Sequence, residues 1–348
     1  MPPVGKPVFC NLPFKRLKIT ETGDVRHCCF QNTFIGNVLE TDILELWNSK
    51  ISEEVRSSII SGRLHKSCQS EACPFMFSKD LNHFSTIEPI ITPTAPVYLE
   101  IDLPSTHCNI GGINPTPQTA CFMCPRASNS FIALPDLTNR IVMRIKHIVE
   151  HISVLHVSGI AESFWKGRIF DILDMMNYQQ YKEQITVLAY TNGTLFDNEL
   201  QKKYTDTVKR SHLSFSLDAA TEETFVKIRR VKMFHKICDN IRYYVKTKPG
   251  THSCTIYNNL NILNIREASQ MVELAANLGV MSLGLSLTVT YNDKVENTLD
   301  KVMNKDNESI FSEHEKKAKD TAKKLGVELH VQRPLRFTDE KEGRISLL

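Results

Sequence analysis

No stretch of this chain approaches the roughly 18 consecutive apolar residues of a membrane-crossing helix, which predicts that no segment spans a bilayer. The opening residues, MPPVGKPVFCN, lack the apolar core of a secretory signal. Excess charge is scarce as well. Forty-two Lys and Arg against 39 Asp and Glu leave a net charge of +3, too small and too dispersed to form a nucleic-acid footprint. Internal repeats and low-complexity tracts are absent. Cysteine, in contrast, is plentiful, with ten in 348 residues. Without a secretion signal, these read as metal ligands or free thiols of a reducing, cytoplasmic compartment, not as disulfides. A hydrophobic content of 41% and a charged content of 23% are those of a soluble globular protein. The length allows one or two domains around a large core.

Three of the cysteines lie on one stretch, CNIGGINPTPQTACFMC, after the apolar run Val97–Leu103. Cys108 is followed by twelve residues, Cys121 by two, then Cys124. Three thiolates on a loop at a strand end can hold three irons of a [4Fe–4S] cube and leave the fourth open to an outside ligand. Taken alone, the spacing also suits a structural zinc loop or buried thiols. The segment Gly111–Thr119 contains two glycines and two prolines. It reads as a loop at the mouth of the fold, expected to face the substrate.

Residues 1–80 read as a separate small module. Two alternating runs flank Thr22-Gly23-Asp24, the pattern of a hairpin. Helices are expected near 42–48 and 53–61, the second ending at Gly62. Five cysteines belong to this module: Cys10, Cys28, Cys29, Cys68 and Cys73. Residues 81–96, with three prolines and no clear period, read as a linker. From Val97 to the end, strand runs alternate with helical patterns, which predicts parallel βα units. Strands are expected near 97–103, 153–158, 185–190, 211–217, 254–263 and 281–289. Helices are expected near 138–151, 164–177, 196–205, 221–247, 267–278 and 308–325.

Motifs stand at the expected strand ends, where barrels of this type carry their chemistry. They are Gly159-Ile160-Ala161-Glu162, Thr191-Asn192-Gly193, Ser216-Leu217-Asp218 with Arg229 on the next helix, and Asn264. With Cys108-Asn109 and Cys121-Phe122-Met123-Cys124, they make nearly the whole chain resemble the radical S-adenosylmethionine (SAM) enzymes. Cys10, Gly23, Cys28, the LELWN run, Arg56, Gly62, Cys68 and Cys73 resemble a SPASM domain, placed ahead of the barrel and not behind it. The first cysteine gap is nine residues longer than in the family's usual CxxxCxxC.

The resemblance implies an α/β fold, a partial (β/α)6 TIM-type barrel over 97–348 with a SPASM-like iron–sulfur domain over 1–80. It implies a [4Fe–4S] cluster on Cys108, Cys121 and Cys124, with SAM on its open iron. One auxiliary [4Fe–4S] cluster would sit on Cys10, Cys28, Cys68 and Cys73, and Cys29 would be spare. SAM contacts are implied at Met123, Gly159, Glu162, Thr191, Asn192, Ser216, Asp218, Arg229 and Asn264. The implied reaction is reductive cleavage of SAM and abstraction of a hydrogen atom from a peptide or protein, with a reductant such as flavodoxin or ferredoxin. The alternatives are the same chemistry on a sugar, aminocyclitol or other small polar metabolite, and a non-catalytic protein that binds zinc for structure. Cys238 reads as buried packing, Cys254 as a strand-start residue at the barrel bottom, away from the chemistry, and His107 and His156 as structural. Glu313–Lys324 reads as the solvated face of a last helix.

Overall fold

The computed structural model describes residues 10–68, 93–112, 114–116, 118–128, 131–287 and 307–332. Its strands are β1 (Arg16–Ile19), β2 (Asp24–Arg26), β3 (Gly36–Asn37), β4 (Tyr98–Asp102), β5 (Val154–Ser158), β6 (Thr186–Thr191), β7 (Ser211–Ser216), β8 (His252–Leu260), β9 (Ser282–Leu287) and β10 (Glu328–Gln332). All ten form one sheet in the order β10-β9-β8-β7-β6-β5-β4-β1-β2-β3. Every pair from β4 to β10 is parallel, and β1 joins β4 in parallel. Only β1–β2 and β2–β3 are antiparallel. A parallel pair needs a long crossover, and helices supply it. The architecture is the expected partial TIM-type barrel, extended at one end by β10, which the sequence reading does not contain.

The helices are α1 (Ile43–Trp47), α2 (Lys50–Ile60), α3 (Thr138–Ile145), α4 (Arg168–Met175), α5 (Tyr178–Tyr181), α6 (Asn198–Thr207), α7 (Glu222–Arg229), α8 (Phe234–Thr247), α9 (Ala268–Asn277) and α10 (Glu308–Leu325). Local chemistry sets their ends. The side chains of Asp42, Ser49, Asp197 and Thr221 each accept an N–H in the first turn of their helix, a cap worth about 1 kcal/mol. The Ser49 cap starts α2 three residues earlier than the sequence pattern indicates. The run 221–247 divides because Arg230 takes a left-handed conformation and ends α7. The run 138–151 is α-helical only to Ile145 and continues as a 3₁₀ turn.

Strand alternation separates two faces. Leu99, Ile101, Leu155, Val157, Leu213 and Phe215 are fully buried in one core with the helices. The intervening residues Tyr98, Glu100, Asp102, His156 and Ser158 lie on the opposite face, as the period of two requires. There, Lys18 donates to Glu100 (2.6 Å) and Asp102 (2.5 Å), Arg16 pairs with Glu100, and Ser158 donates to both carboxylates. The hairpin at the chain's start is therefore stitched into the barrel sheet by charge as well as by backbone. Leu17, Ile19, Val25 and Trp47 belong to the same core as the barrel strands. A smaller cluster of Cys10, Phe14, Val55 and Ile59 fills the rest of the segment. Cys73 and residues 69–92, the larger part of the 81–96 stretch, lie outside the described residues.

Cys238 is buried on α8, and Cys254, near the start of β8, packs against the core. His156 bonds Tyr98 Oη (2.8 Å), and His107 uses its carbonyl to accept the Glu162 N–H (2.7 Å). The charged run on α10 is mainly exposed, but Glu315 is buried and pairs with Lys319.

Candidate functional site

The loop between β4 and α3 closes at its neck. The Thr116 and Thr119 backbones form a turn, with Ala120 N donating to Thr116 O (3.0 Å). This returns the chain so that Ala120 packs on Gly111. A Cβ at Gly111 would stand 3.1 Å from the Ala120 Cα, and its φ of +82° also demands glycine. Residues 113 and 117 of this loop lie outside the described residues. Beyond the neck, the Phe122 N–H donates to Ile228 O (3.0 Å), and the Cys121–Cys124 turn closes with Cys124 N on Cys121 O (2.9 Å). The CFMC stretch is thus docked on the end of α7. Burial pushes the Cys108 thiol up to about 11 and the Cys124 thiol up to about 12. It raises Cys121 too, although Arg229 opposes the shift. Cys108 feels the charge of Cys121, and Cys124 feels both Cys121 and Cys108.

Cys108 faces the end of β6. Asn192 Nδ2 lies 4.0 Å from Cys108 Sγ and donates to Asn109 Oδ1 (3.0 Å). Asn109 Nδ2 in turn donates to Thr194 Oγ1 (2.7 Å). The TNG turn is fixed from below by Glu162, whose carboxylate accepts from Thr191 Oγ1 (2.7 Å), Asn192 N (2.6 Å) and Phe164 N (3.3 Å). Glu162 has no exposed surface, and burial raises its carboxyl to about 7 despite these three donors. Gly159 lets β5 pass close to β4, since a Cβ there would meet Leu103 O at 2.8 Å. A side chain at Gly193 would press on Ile237 at 2.9 Å.

Cys121 faces the end of β7. Arg229 Nη1 donates to Cys121 Sγ (3.7 Å), Nη2 donates to Ser216 O (3.3 Å), and Nε pairs with Asp218. Burial works against the Arg229 charge, but the Asp218 carboxylate and the Cys121 thiol outweigh it and hold the guanidinium charged. Asp218 also accepts from Asn259 N (2.8 Å). Asn264 donates to Asp218 O (2.7 Å) and Asn259 O (2.9 Å) and accepts from Asn261 N (2.7 Å). It stands at a helix N-cap position, yet its side chain caps nothing. Of the expected SAM contacts, Glu162, Asp218 and Asn264 are 0% exposed and hold neighbouring strand ends. Met123 and Ser216 are half-buried and Gly159 is exposed.

The N-terminal thiols form a second group. Cys10 is buried, Cys28 and Cys68 are half-buried, and Cys29 is exposed. Burial, followed by the neighbouring Cys29, Cys10 and Cys68, pushes the Cys28 thiol up to about 12. Gln31 ties the Cys28 turn to the Cys68 turn: its Nε2 donates to Ser67 Oγ (3.1 Å), and its Oε1 accepts from His27 N (2.8 Å). Asn32 N adds a bond to Ser67 O (2.9 Å). Burial holds the His27 ring neutral, with a pKa of about 3. Among the described residues, no three His, Cys, Asp or Glu side chains are gathered as ligands of one metal ion. A cube makes a different demand, because it takes its thiolates at separate irons.

Two residues missing from the sequence reading stand out. Asn109, quoted there only as a motif position, joins the Cys108 turn to the TNG turn. Arg126, directly after Cys124-Pro125, is 1% exposed beside the thiols. A buried arginine two residues past Cys124 leaves no signal in composition or period.

Residues 10–74 match the family model of SPASM, an iron–sulfur cluster-binding domain. No curated protein matches the chain in sequence. Among solved structures, SuiB of Streptococcus suis bound to S-adenosylmethionine is similar at 14% identity and a TM-score of 0.50, over 68% of this chain and 50% of SuiB. AnSMEcpe with bound AdoMet is similar at 16% identity and a TM-score of 0.52, over 67% of this chain and 63% of anSMEcpe. A second structure of anSMEcpe, with AdoMet and the Cp18Cys peptide, gives 16% and 0.51 over the same shares. The likeness is one of fold, and the chain spans less than two thirds of each of these proteins.

Proposed function

We propose that this chain is a radical SAM enzyme in which Cys108, Cys121 and Cys124 hold a [4Fe–4S] cluster with one iron open, and the N-terminal thiols hold an auxiliary cluster. One observation carries the reading. Cys108 and Cys121 are tied to the carboxyl ends of β6 and β7 through Asn192 and Arg229, beside the motif residues expected to contact SAM, and the Cys121–Cys124 turn brings Cys124 to the same loop. The donor set fits the group: three thiols lie on one loop, with the guanidinium groups of Arg126 and Arg229 beside them to balance anionic sulfur. When bound and reduced, the cluster would supply the electron that cleaves SAM to methionine and a 5′-deoxyadenosyl radical, which takes a hydrogen atom from substrate.

The chain's own residues would bind and orient. Ser216 and Met123, which retain surface, and Asn192, which is buried with its Nδ2 4.0 Å from Cys108 Sγ, are the proposed direct contacts. Gly159 leaves room for close backbone approach. Thr191, Glu162, Asp218 and Asn264 fix those contacts by pinning the strand ends, and Arg229 joins Cys121 to Asp218. The proposed substrate is a peptide or protein, supported by the likeness to anSMEcpe with its bound peptide. A flavodoxin- or ferredoxin-type reductant would serve it.

The test is anaerobic purification and reconstitution, followed by iron and sulfide counts and an assay for 5′-deoxyadenosine after reduction with dithionite. The expected result is a brown protein with two clusters that cleaves SAM. A colourless protein loaded with zinc, inactive toward SAM, would end the reading.

A further inference from the structure

Arg126 is buried, and among the described residues no acid balances its charge. Its Nη1 donates to Ile110 O (3.0 Å) and its Nη2 donates to Gly112 O. Its Nε has no hydrogen-bond partner, although the side chain is buried. Phe131 lies under the guanidinium at 5.9 Å. Among the described residues no carboxylate pairs with it, whereas Arg229 is neutralised by Asp218. A buried cation held only by neutral carbonyls is costly, so a negative partner is to be expected at that place. The thiols of the cysteine loop can supply it, since Arg126 is near enough to influence Cys108, Cys121 and Cys124 alike.

The two carbonyls it grips are informative. Ile110 and Gly112 follow Cys108 and open the long gap, while Arg126 itself stands on the 3₁₀ turn that begins at Cys124. One side chain therefore clasps both ends of a twelve-residue excursion. Together with the Gly111–Ala120 contact, it brings Cys108 back to the Cys121–Cys124 turn.

We propose that Arg126 is a positioning residue for the cluster: it clamps the Cys108 branch of the loop to the CFMC branch and supplies the cation that balances the three bound thiolates. This rests on the cluster reading above. Cysteine-loop clusters of different length would need different clamps, and here the clamp also tunes charge at the irons. A cation beside a cluster favours the reduced, more negative form, so its removal should lower the midpoint potential.

The test uses the full chain, reconstituted anaerobically, as wild type, Arg126→Gln, Arg126→Lys and Cys121→Ala. Iron per chain is followed under a chelator challenge, and the cluster midpoint is titrated by EPR. Arg126→Gln is expected to weaken iron retention at the loop site about 10–100-fold, the usual cost of losing an outer-shell partner, and to move the remaining cluster to a more negative midpoint. Arg126→Lys should restore much of the midpoint through its charge but not the retention, because a lysine cannot bridge two carbonyls as a planar fork. A purely structural clamp would lower retention and leave the midpoint alone, and that result would overturn the charge-balancing half of the proposal. Should Arg126→Gln fail to fold, Arg126→Lys decides: unchanged retention overturns the clamp. If Cys121→Ala has lost a cluster's worth of iron while Arg126→Gln matches wild type in both readouts, this proposal alone fails. An unchanged iron count in Cys121→Ala overturns the cluster reading and this proposal with it.

Discussion

The two groups of thiols are built differently. In the N-terminal segment the cysteines are surrounded by neutral hydrogen-bonding groups: His27, held uncharged by burial, Gln31 and Ser67. The cations of that region are engaged elsewhere: Arg56 stacks on Trp47 and donates to the Pro13 and Trp47 carbonyls, Arg26 donates to Gln31 O (3.3 Å), and Arg16 and Lys18 pair with the carboxylates of β4. Beside the sulfurs of the loop after β4 stand the guanidinium groups of buried Arg126 and of half-buried Arg229 on α7. Neutral donors stabilise a fixed charge state. Cations favour accepting an electron. The contrast supports the proposal that the loop carries the SAM-binding cluster and the N-terminal group the auxiliary one.

The sharpest way to break this contrast is to remove cysteines from each side in turn. Cys121→Ala and Cys124→Ala should abolish 5′-deoxyadenosine formation while iron falls by only one cluster's worth. Cys10→Ala, Cys28→Ala or Cys68→Ala should remove the other cluster and reduce the yield of folded protein, since metal binding contributes folding energy to a small segment. Cys29→Ala, exposed beside Cys28, should keep both clusters. Wild-type SAM cleavage in Cys121→Ala, or a greater iron loss in Cys29→Ala than in Cys28→Ala, would reverse the assignments.

The next test asks whether the two regions are one structure. Lys18, on β1, lies between Glu100 and Asp102 of β4. Burial lowers its pKa and Asp102 works in the other direction. Lys18→Ala would leave buried Glu100 with Arg16 alone and half-buried Asp102 without its cation, a loss of about 3 kcal/mol. Urea unfolding should show it as a lower midpoint for the whole chain. A loss under about 1 kcal/mol would mean that the shared apolar core alone holds the hairpin to the barrel.

That ion-pair cluster marks the limit of what the sequence discloses. Strand and helix runs were legible because alternation and caps are local, so the six expected strands fall on β4 to β9 and the last helix on Glu308–Leu325. Partner choice is not local. Alternation in Arg16–Ile19 announces a strand, but nothing in it says that the strand pairs in parallel with Tyr98–Asp102 some eighty residues on. β10 went unread because ELHVQ is short and follows a long charged helix. The cysteines and the strand-end motifs were legible as residue types at a spacing. The division of labour among the motif residues was not, because only burial separates Ser216, which keeps surface, from Asp218, which has none.

The smallest predicted effect concerns Glu162, which pins the Asn192 turn from inside the protein. Burial raises its carboxyl from the ordinary 4.5 to about 7. In the unfolded chain the group ionises near 4.5, while in the folded chain it keeps its proton to about 7. Between those values the folded state binds more protons than the unfolded one, so stability falls as pH rises. The stabilisation is complete below 4.5 and is lost by about 7, on the order of 3 kcal/mol over the window. Glu162→Gln cannot ionise and should remove this slope: its amide oxygen retains the acceptor for Asn192 N, and its NH2 can donate to Thr191 Oγ1 in place of the bond that Thr191 now donates. Urea midpoints from pH 5 to 8, taken on both proteins without metal, would show it: a falling curve for wild type and a flatter one for the variant. If both curves are parallel, the donors from Thr191, Asn192 and Phe164 hold Glu162 ionised. The turn beside Cys108 would then carry a fixed negative charge, and its electrostatic contrast with the N-terminal site would narrow.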